Sequence, residues 1–100
     1  MDITKLIEKR RAEILAIASK HQASNVRIFG SYARKEADQQ SDLDILVHLN
    51  TNKTGFAYFR LLDDMQDELK SLLGIKVDVI DESGLKPKIK SRILKEAVSL

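Results

Sequence analysis

Apolar residues recur at three- and four-residue spacings in three stretches of the chain, and short β-prone runs separate them. Over residues 3 to 21, Ile3, Leu6, Ile7, Ile14, Ile17 and Ala18 fall on one side and basic residues on the other, which predicts an amphipathic helix with Asp2 or Thr4 as cap. Tyr58, Leu61, Leu62, Met65, Leu69 and Leu72 mark a second helix over 56 to 73, with Gly74 just past its end. Ile89, Ile93, Ala97 and Val98 give a third helix its apolar face, and Pro87 suits its first turn. A short helix is also expected over 31 to 38.

The runs VRIF (26 to 29), LDILVHL (43 to 49) and IKVDVID (75 to 81) read as strands, and the polar stretches Gln22 to Asn25 and Asn50 to Gly55 as links. Alternating helices and strands imply a small α/β (α+β) layer, with helices packed on a sheet of three to four strands. The short connection between the first two strands leaves mixed pairing open. A chain of 100 residues supports one core, so residues 1–100 are expected to form one domain.

The periodicity does not explain the acids. Asp42 and Asp44 alternate with Leu43 and Ile45, so both carboxylates would project from one face with Cα atoms roughly 7 Å apart, while the apolar residues take the other. Asp78 interrupts Val77 and Val79 in the same manner. If the two strands are neighbours, three carboxylates converge, and their repulsion calls for a cation. Mg²⁺ suits such a donor set, and two ions about 4 Å apart can hold the attacking and leaving oxygens of an in-line displacement.

Gly30 and Ser31 supply the complementary half. The glycine permits a tight turn, Ser31 would open a helix whose free N–H groups bind phosphate, and Arg34 adds a cation one turn on. Together these residues read as a seat for a nucleoside triphosphate and point to phosphoryl or nucleotidyl transfer. Taken singly, each has a plainer use: Ser41 and Asp42 as a turn, Asp78 as a charge protecting a sheet edge, Arg34 as a solvated residue.

Composition narrows the setting. There is no cysteine, which removes disulfides, thiolate zinc sites and thiol nucleophiles, and two histidines are too few for a His-rich metal site. A net charge of +2 does not argue for nucleic acid. The basic residues of KPKIKSRILK read as a solvated helix face without interleaved aromatics, so no direct nucleic-acid binding is expected. The amino-terminal segment has no signal-peptide core and no run reaches spanning length, so a soluble, cytoplasmic protein without a membrane role is the expectation. His48 is expected to be structural, and Phe56, Tyr58 and Phe59 to pack in the core or at a helix start.

Gly30, Ser31, Ala33 and Arg34, followed by Ser41, Asp42 and Asp44 and then a later strand aspartate, Asp78, resemble the signature of the DNA polymerase beta superfamily of nucleotidyltransferases. More narrowly the chain is similar, along its whole length, to the minimal nucleotidyltransferases paired with HEPN-domain partners in toxin and antitoxin systems. The family commonly has glycine after the arginine, where this chain has Lys35. The resemblance implies a polymerase-beta-like fold. It assigns Gly30, Ser31 and Arg34 to nucleotide binding, and Asp42, Asp44 and Asp78 to the metal ions and catalysis. It implies Mg²⁺-dependent transfer of AMP from ATP to a hydroxyl, a tyrosine, of a HEPN ribonuclease toxin, in a hetero-oligomer. The alternative is a catalytically silent antitoxin that neutralises its partner by stoichiometric contact.

Overall fold

The computed structural model describes residues 3–38 and 41–100. Asp2, one of the two expected caps, and residues 39 and 40 of the polar loop lie outside them. Helices α1 (Ile3–Lys9) and α2 (Arg11–Lys20) lead into strand β1 (Ala23–Phe29); β2 (Leu43–Leu49), α3 (Gly55–Leu73) and β3 (Val77–Asp81) follow. A single 3-10 turn (Glu82–Gly84), α4 (Pro87–Glu96) and a two-residue strand β4 (Val98–Ser99) complete the chain.

The sheet has the order β3-β2-β1-β4, with β1 antiparallel to both β2 and β4 and β2 parallel to β3. It is therefore a mixed sheet, and the crossover through α3 provides the length that parallel pairing needs. One face carries the core: Ile14 and Ala18 of α2 and Met65, Leu69 and Leu73 of α3 pack on Val26, Ile28, Leu43, Ile45, Val47, Val77 and Val79. The spacing 65, 69, 73 is the inward stripe of a helix, and Gly74 ends it at φ 69° by donating its N–H to the Lys70 carbonyl at 2.8 Å.

On the opposite face, Arg27, Phe29 and Leu46 are buried, beside the 3-10 turn and α4. The Arg27 guanidinium is paired with Glu82, and its Nε donates to the Asn25 carbonyl at 2.8 Å. A buried cation needs such partners, because leaving it unpaired costs far more than the pair contributes.

Several elements differ from the sequence expectation. The first helix is two, joined at Arg10, although hydrogen bonds from the Arg10 N–H to the Leu6 carbonyl and from the Ile14 N–H to the Arg10 carbonyl run across the joint. The expected linker 22 to 25 is mostly strand. An extra residue in β1 between Ser24 and Arg27, with Asn25 at φ 53°, forms a bulge that returns Ala23 to the core side. The expected helix over 31 to 38 is a turn, and the third strand begins at Val77, two residues late. Ala97 ends α4 with extended backbone, so Val98 pairs with Ile28 as part of β4 instead of extending the helix.

Candidate active site

The parallel register of β2 and β3 sets Asp44 directly beside Asp78, and the antiparallel register of β1 and β2 sets Phe29 on the other side of Asp44. Asp42 stands one residue before β2, where the Leu43 N–H donates to the Lys76 carbonyl at 2.9 Å and ties the strand entrance to the segment leading into β3. Asp42 and Asp78 are exposed and Asp44 is half-buried. Burial pushes the Asp44 carboxyl above the ordinary aspartate value, and the charges of Asp78 and Asp42 push it further. Glu96 adds to this, while Arg34 opposes it. The three aspartates therefore form one electrostatic unit.

β3 is the edge of the sheet, so Asp78 occupies an open rim. Two surface hollows, of about 590 and 290 Å³, lie elsewhere, the first between the 3-10 turn and α4 and the second between α1, the 30–35 turn and the carboxyl-terminal residues. With Asp42 and Asp78 exposed and Asp44 half-buried, the aspartates form a solvent-exposed shelf.

Gly30 follows β1 at φ 76°, a conformation that glycine reaches without strain. A β-carbon there would stand 2.2 Å from Asp44 Oδ2, so the missing side chain makes room for the carboxylate. The turn closes through hydrogen bonds from the Arg34 N–H to the Gly30 carbonyl (3.1 Å) and from the Glu36 N–H to the Ser31 carbonyl (2.9 Å). Lys35 sits at φ 59°, in the left-handed region, which ends the turn. With no helix to follow, the expected helix N-terminus at Ser31 is absent. The backbone from Gly30 to Lys35 is a turn, and it is this turn that stands where the sequence places the nucleotide-binding residues.

Arg34 does not stand free. Its Nη1 donates to both carboxylate oxygens of Glu96 at 3.1 and 3.0 Å, and its Nε donates to Glu36 Oε2 at 3.1 Å. Glu96 Oε1 also accepts the Gly30 N–H at 3.1 Å. Nothing in the motif indicates Glu96, the single acid in α4. Tyr32 donates to the Ser41 carbonyl at 3.4 Å, and Ser41 Oγ bonds Asp38, which together hold the loop entering Asp42.

Other polar groups are structural. Asp81 is 4% exposed and accepts from Tyr58, Ser83 and the Leu49 N–H. His48 Nδ1 lies 3.4 Å from Glu82, in keeping with its expected structural role. Phe56 and Phe59 depart from their expected packing, being 95% and 62% exposed on α3.

The donor chemistry suits a hard divalent cation, since oxygen-only ligands with excess negative charge gain most from one. Among the described residues no three acidic or imidazole groups are drawn together tightly enough to enclose an ion. Asp42, Asp44 and Asp78 are the residues that would hold it.

Residues 11–100 match the family described as nucleotidyltransferase domain. A provisionally named protein adenylyltransferase of Methanocaldococcus jannaschii is 39% identical over 94 residues, covering 94% of this chain and 97% of the relative. The protein adenylyltransferase MntA of Thermococcus cleftensis is 37% identical over 73 residues, 73% of this chain and 70% of its own length. A solved structure described as a minimal nucleotidyltransferase superposes with a TM-score of 0.77 at 39% identity, covering 100% of this chain and 97% of that one. The fold also matches, at 17% identity and a TM-score of 0.63 over 92% of this chain and 69% of the other, a structure of a tri-AMPylated Shewanella oneidensis HEPN toxin with its MNT antitoxin. The chain belongs to the nucleotidyltransferase domain family and is an enzyme of the minimal nucleotidyltransferase kind.

Proposed function

We propose that this nucleotidyltransferase transfers AMP from ATP to a hydroxyl, a tyrosine, of a cognate HEPN ribonuclease toxin, with Mg²⁺, and so acts in the cytoplasm as its antitoxin. The observation that carries the reading is the side-by-side register of Asp44 and Asp78 with Gly30 packed against the Asp44 carboxylate. The names of the relatives supply the nucleotide and the kind of acceptor.

In this reading Asp42, Asp44 and Asp78 would hold two Mg²⁺ ions, which would supply positive charge to the phosphate oxygens and the departing group. Gly30, Ser31 and Arg34 seat the β- and γ-phosphates, leaving the α-phosphorus over the carboxylate shelf. The acceptor oxygen bonds to the α-phosphorus, the bond from that phosphorus to the bridging oxygen breaks, and pyrophosphate leaves. Asp78, on the exposed edge strand, takes the hydroxyl proton. The open shelf fits an acceptor presented by another protein's surface.

The test is incubation of the protein with labelled ATP, Mg²⁺ and the cognate HEPN protein, with the labelled residue located by mass spectrometry. Label on a tyrosine, lost with Asp42→Ala/Asp44→Ala, is the expected result. Neutralisation by both proteins with transfer by neither replaces this reading with an antitoxin that acts by stoichiometric binding.

A further inference from the structure

The carboxylate of Glu96 lies on the two donors, Gly30 and Arg34, that the reading above assigns to a phosphate. It accepts the Gly30 N–H at 3.1 Å, and both of its oxygens accept Arg34 Nη1, at 3.1 and 3.0 Å. We infer that Glu96 is an internal stand-in for phosphate: in the unliganded chain it occupies the Gly30 and Arg34 anion seat, and it must swing out when the triphosphate enters. This rests on the assignment of that seat to the nucleotide in the reading above.

Two roles for such an acid lead to opposite results. A carboxylate that positions Arg34 would help the ligand bind, whereas one that fills the seat competes with it. The backbone decides between them. The Gly30 N–H is fixed by the end of β1 and by the turn, whose closing bond runs from the Arg34 N–H to the Gly30 carbonyl at 3.1 Å, so it needs no acid to aim it. Glu96 consumes that donor, as a competing anion does.

Glu96 reaches the seat as the last residue of α4. Its side chain is 29% exposed and that of Arg34 44%, and exposed ion pairs contribute little, so rotation outward is cheap. The backbone need not follow. Strand β4 stays anchored by the Val98–Ile28 pairing and by the Leu100 N–H donating to the Val26 carbonyl at 3.0 Å.

The experiment is equilibrium binding of magnesium tripolyphosphate to the wild type, Glu96→Gln and Glu96→Ala by calorimetry, with thermal unfolding to confirm that each is folded. Removing a charged competitor held by an exposed ion pair is expected to tighten binding about threefold in Glu96→Ala, with Glu96→Gln moving in the same direction. Adding Arg34→Gln should abolish the gain, which a purely structural role for Glu96 would not predict. Equal or weaker binding by Glu96→Ala, or no binding by any of the proteins, overturns the inference. AMP transfer measured in parallel keeps the two readings apart. Transfer without tighter polyphosphate binding sinks the stand-in and leaves the activity, and tighter binding without transfer does the reverse.

Discussion

Gly30 lies against the carboxylate of Asp44, and a β-carbon at residue 30 would fall 2.2 Å from Oδ2. The turn that would seat phosphate and the strand that carries the acid are thus built to one another's dimensions. Gly30→Ala should displace the Asp44 carboxylate and also force alanine to φ 76°, which costs about 1–2 kcal/mol through the backbone alone. The expected result is a stability loss of about 2 kcal/mol or more in urea unfolding, with transfer activity lost. Asp44→Ala should restore only the steric part in the double variant, so a double-mutant cycle reads the contact directly.

Asp44 itself should cost stability. Burial, then Asp78 and Asp42, raise its carboxyl in the folded chain, so the folded state binds this proton more tightly than the unfolded state does. Stability linked to this group therefore falls as pH rises through the window from the unfolded to the raised folded value. Asp44→Asn should unfold at higher urea than wild type at neutral pH, the advantage should fade below the ordinary carboxylate range, and transfer should collapse. A variant less stable than wild type at neutral pH would contradict the electrostatic account. Mg²⁺ should narrow the gap by stabilising the wild type alone.

What the sequence reveals follows from how local each cause is. Strand β2 is legible to the residue because Leu43, Ile45, Val47 and Leu49 alternate with Asp44 and His48, and that alternation also places the acids on one face. The neighbouring of Asp44 and Asp78 is not local, since it depends on a parallel register set by the whole α3 crossover. Strand β4 is invisible because two residues carry no period, and it exists only by pairing with Arg27 and Ile28. The joint at Arg10 has no glycine or proline to mark it. Glu96 was missed because its importance lies in reaching Gly30, 66 residues away.

Lys35 shows the same limit from the other side. Ala33 and Ala37 lie on either side of it in a segment that favours helix by propensity, yet Lys35 turns to φ 59° and the segment closes as a turn instead of a helix. A lysine in the left-handed region is strained by about 1 kcal/mol, part of which glycine returns through its freer unfolded state. Lys35→Gly is thus expected to gain about 0.5 kcal/mol, and Lys35→Val, with its branched β-carbon, to lose at least 1 kcal/mol or so, both read from urea midpoints at unchanged slope.

Tyr58 reaches from α3 to place its hydroxyl 2.5 Å from Asp81 Oδ2, beside the Ser83 hydroxyl at 2.6 Å and the Leu49 N–H, which meets Oδ1 at 3.3 Å. Burial alone would raise the Asp81 carboxyl, but the hydrogen bonds from Ser83, Tyr58 and the backbone hold it below the ordinary value. An acid depressed in the folded state contributes stability above its unfolded value and loses it as pH falls through the folded one. Tyr58→Phe removes one donor from a carboxylate that is 4% exposed and should cost about 1–3 kcal/mol at neutral pH. The deficit should shrink in acid, where Asp81 is protonated in both states. On the alkaline side, burial and then the Asp81 hydrogen bond push the Tyr58 phenol up to about 12, so its contribution persists to the ordinary tyrosine value and is lost between there and about 12. An ultraviolet titration of the folded protein should show this late phenol and, in Tyr58→Phe, only Tyr32, also raised, by burial and then by Asp38 and Asp42. If Tyr58 ionises at the ordinary tyrosine value instead, the hydrogen bond to Asp81 is not formed in solution.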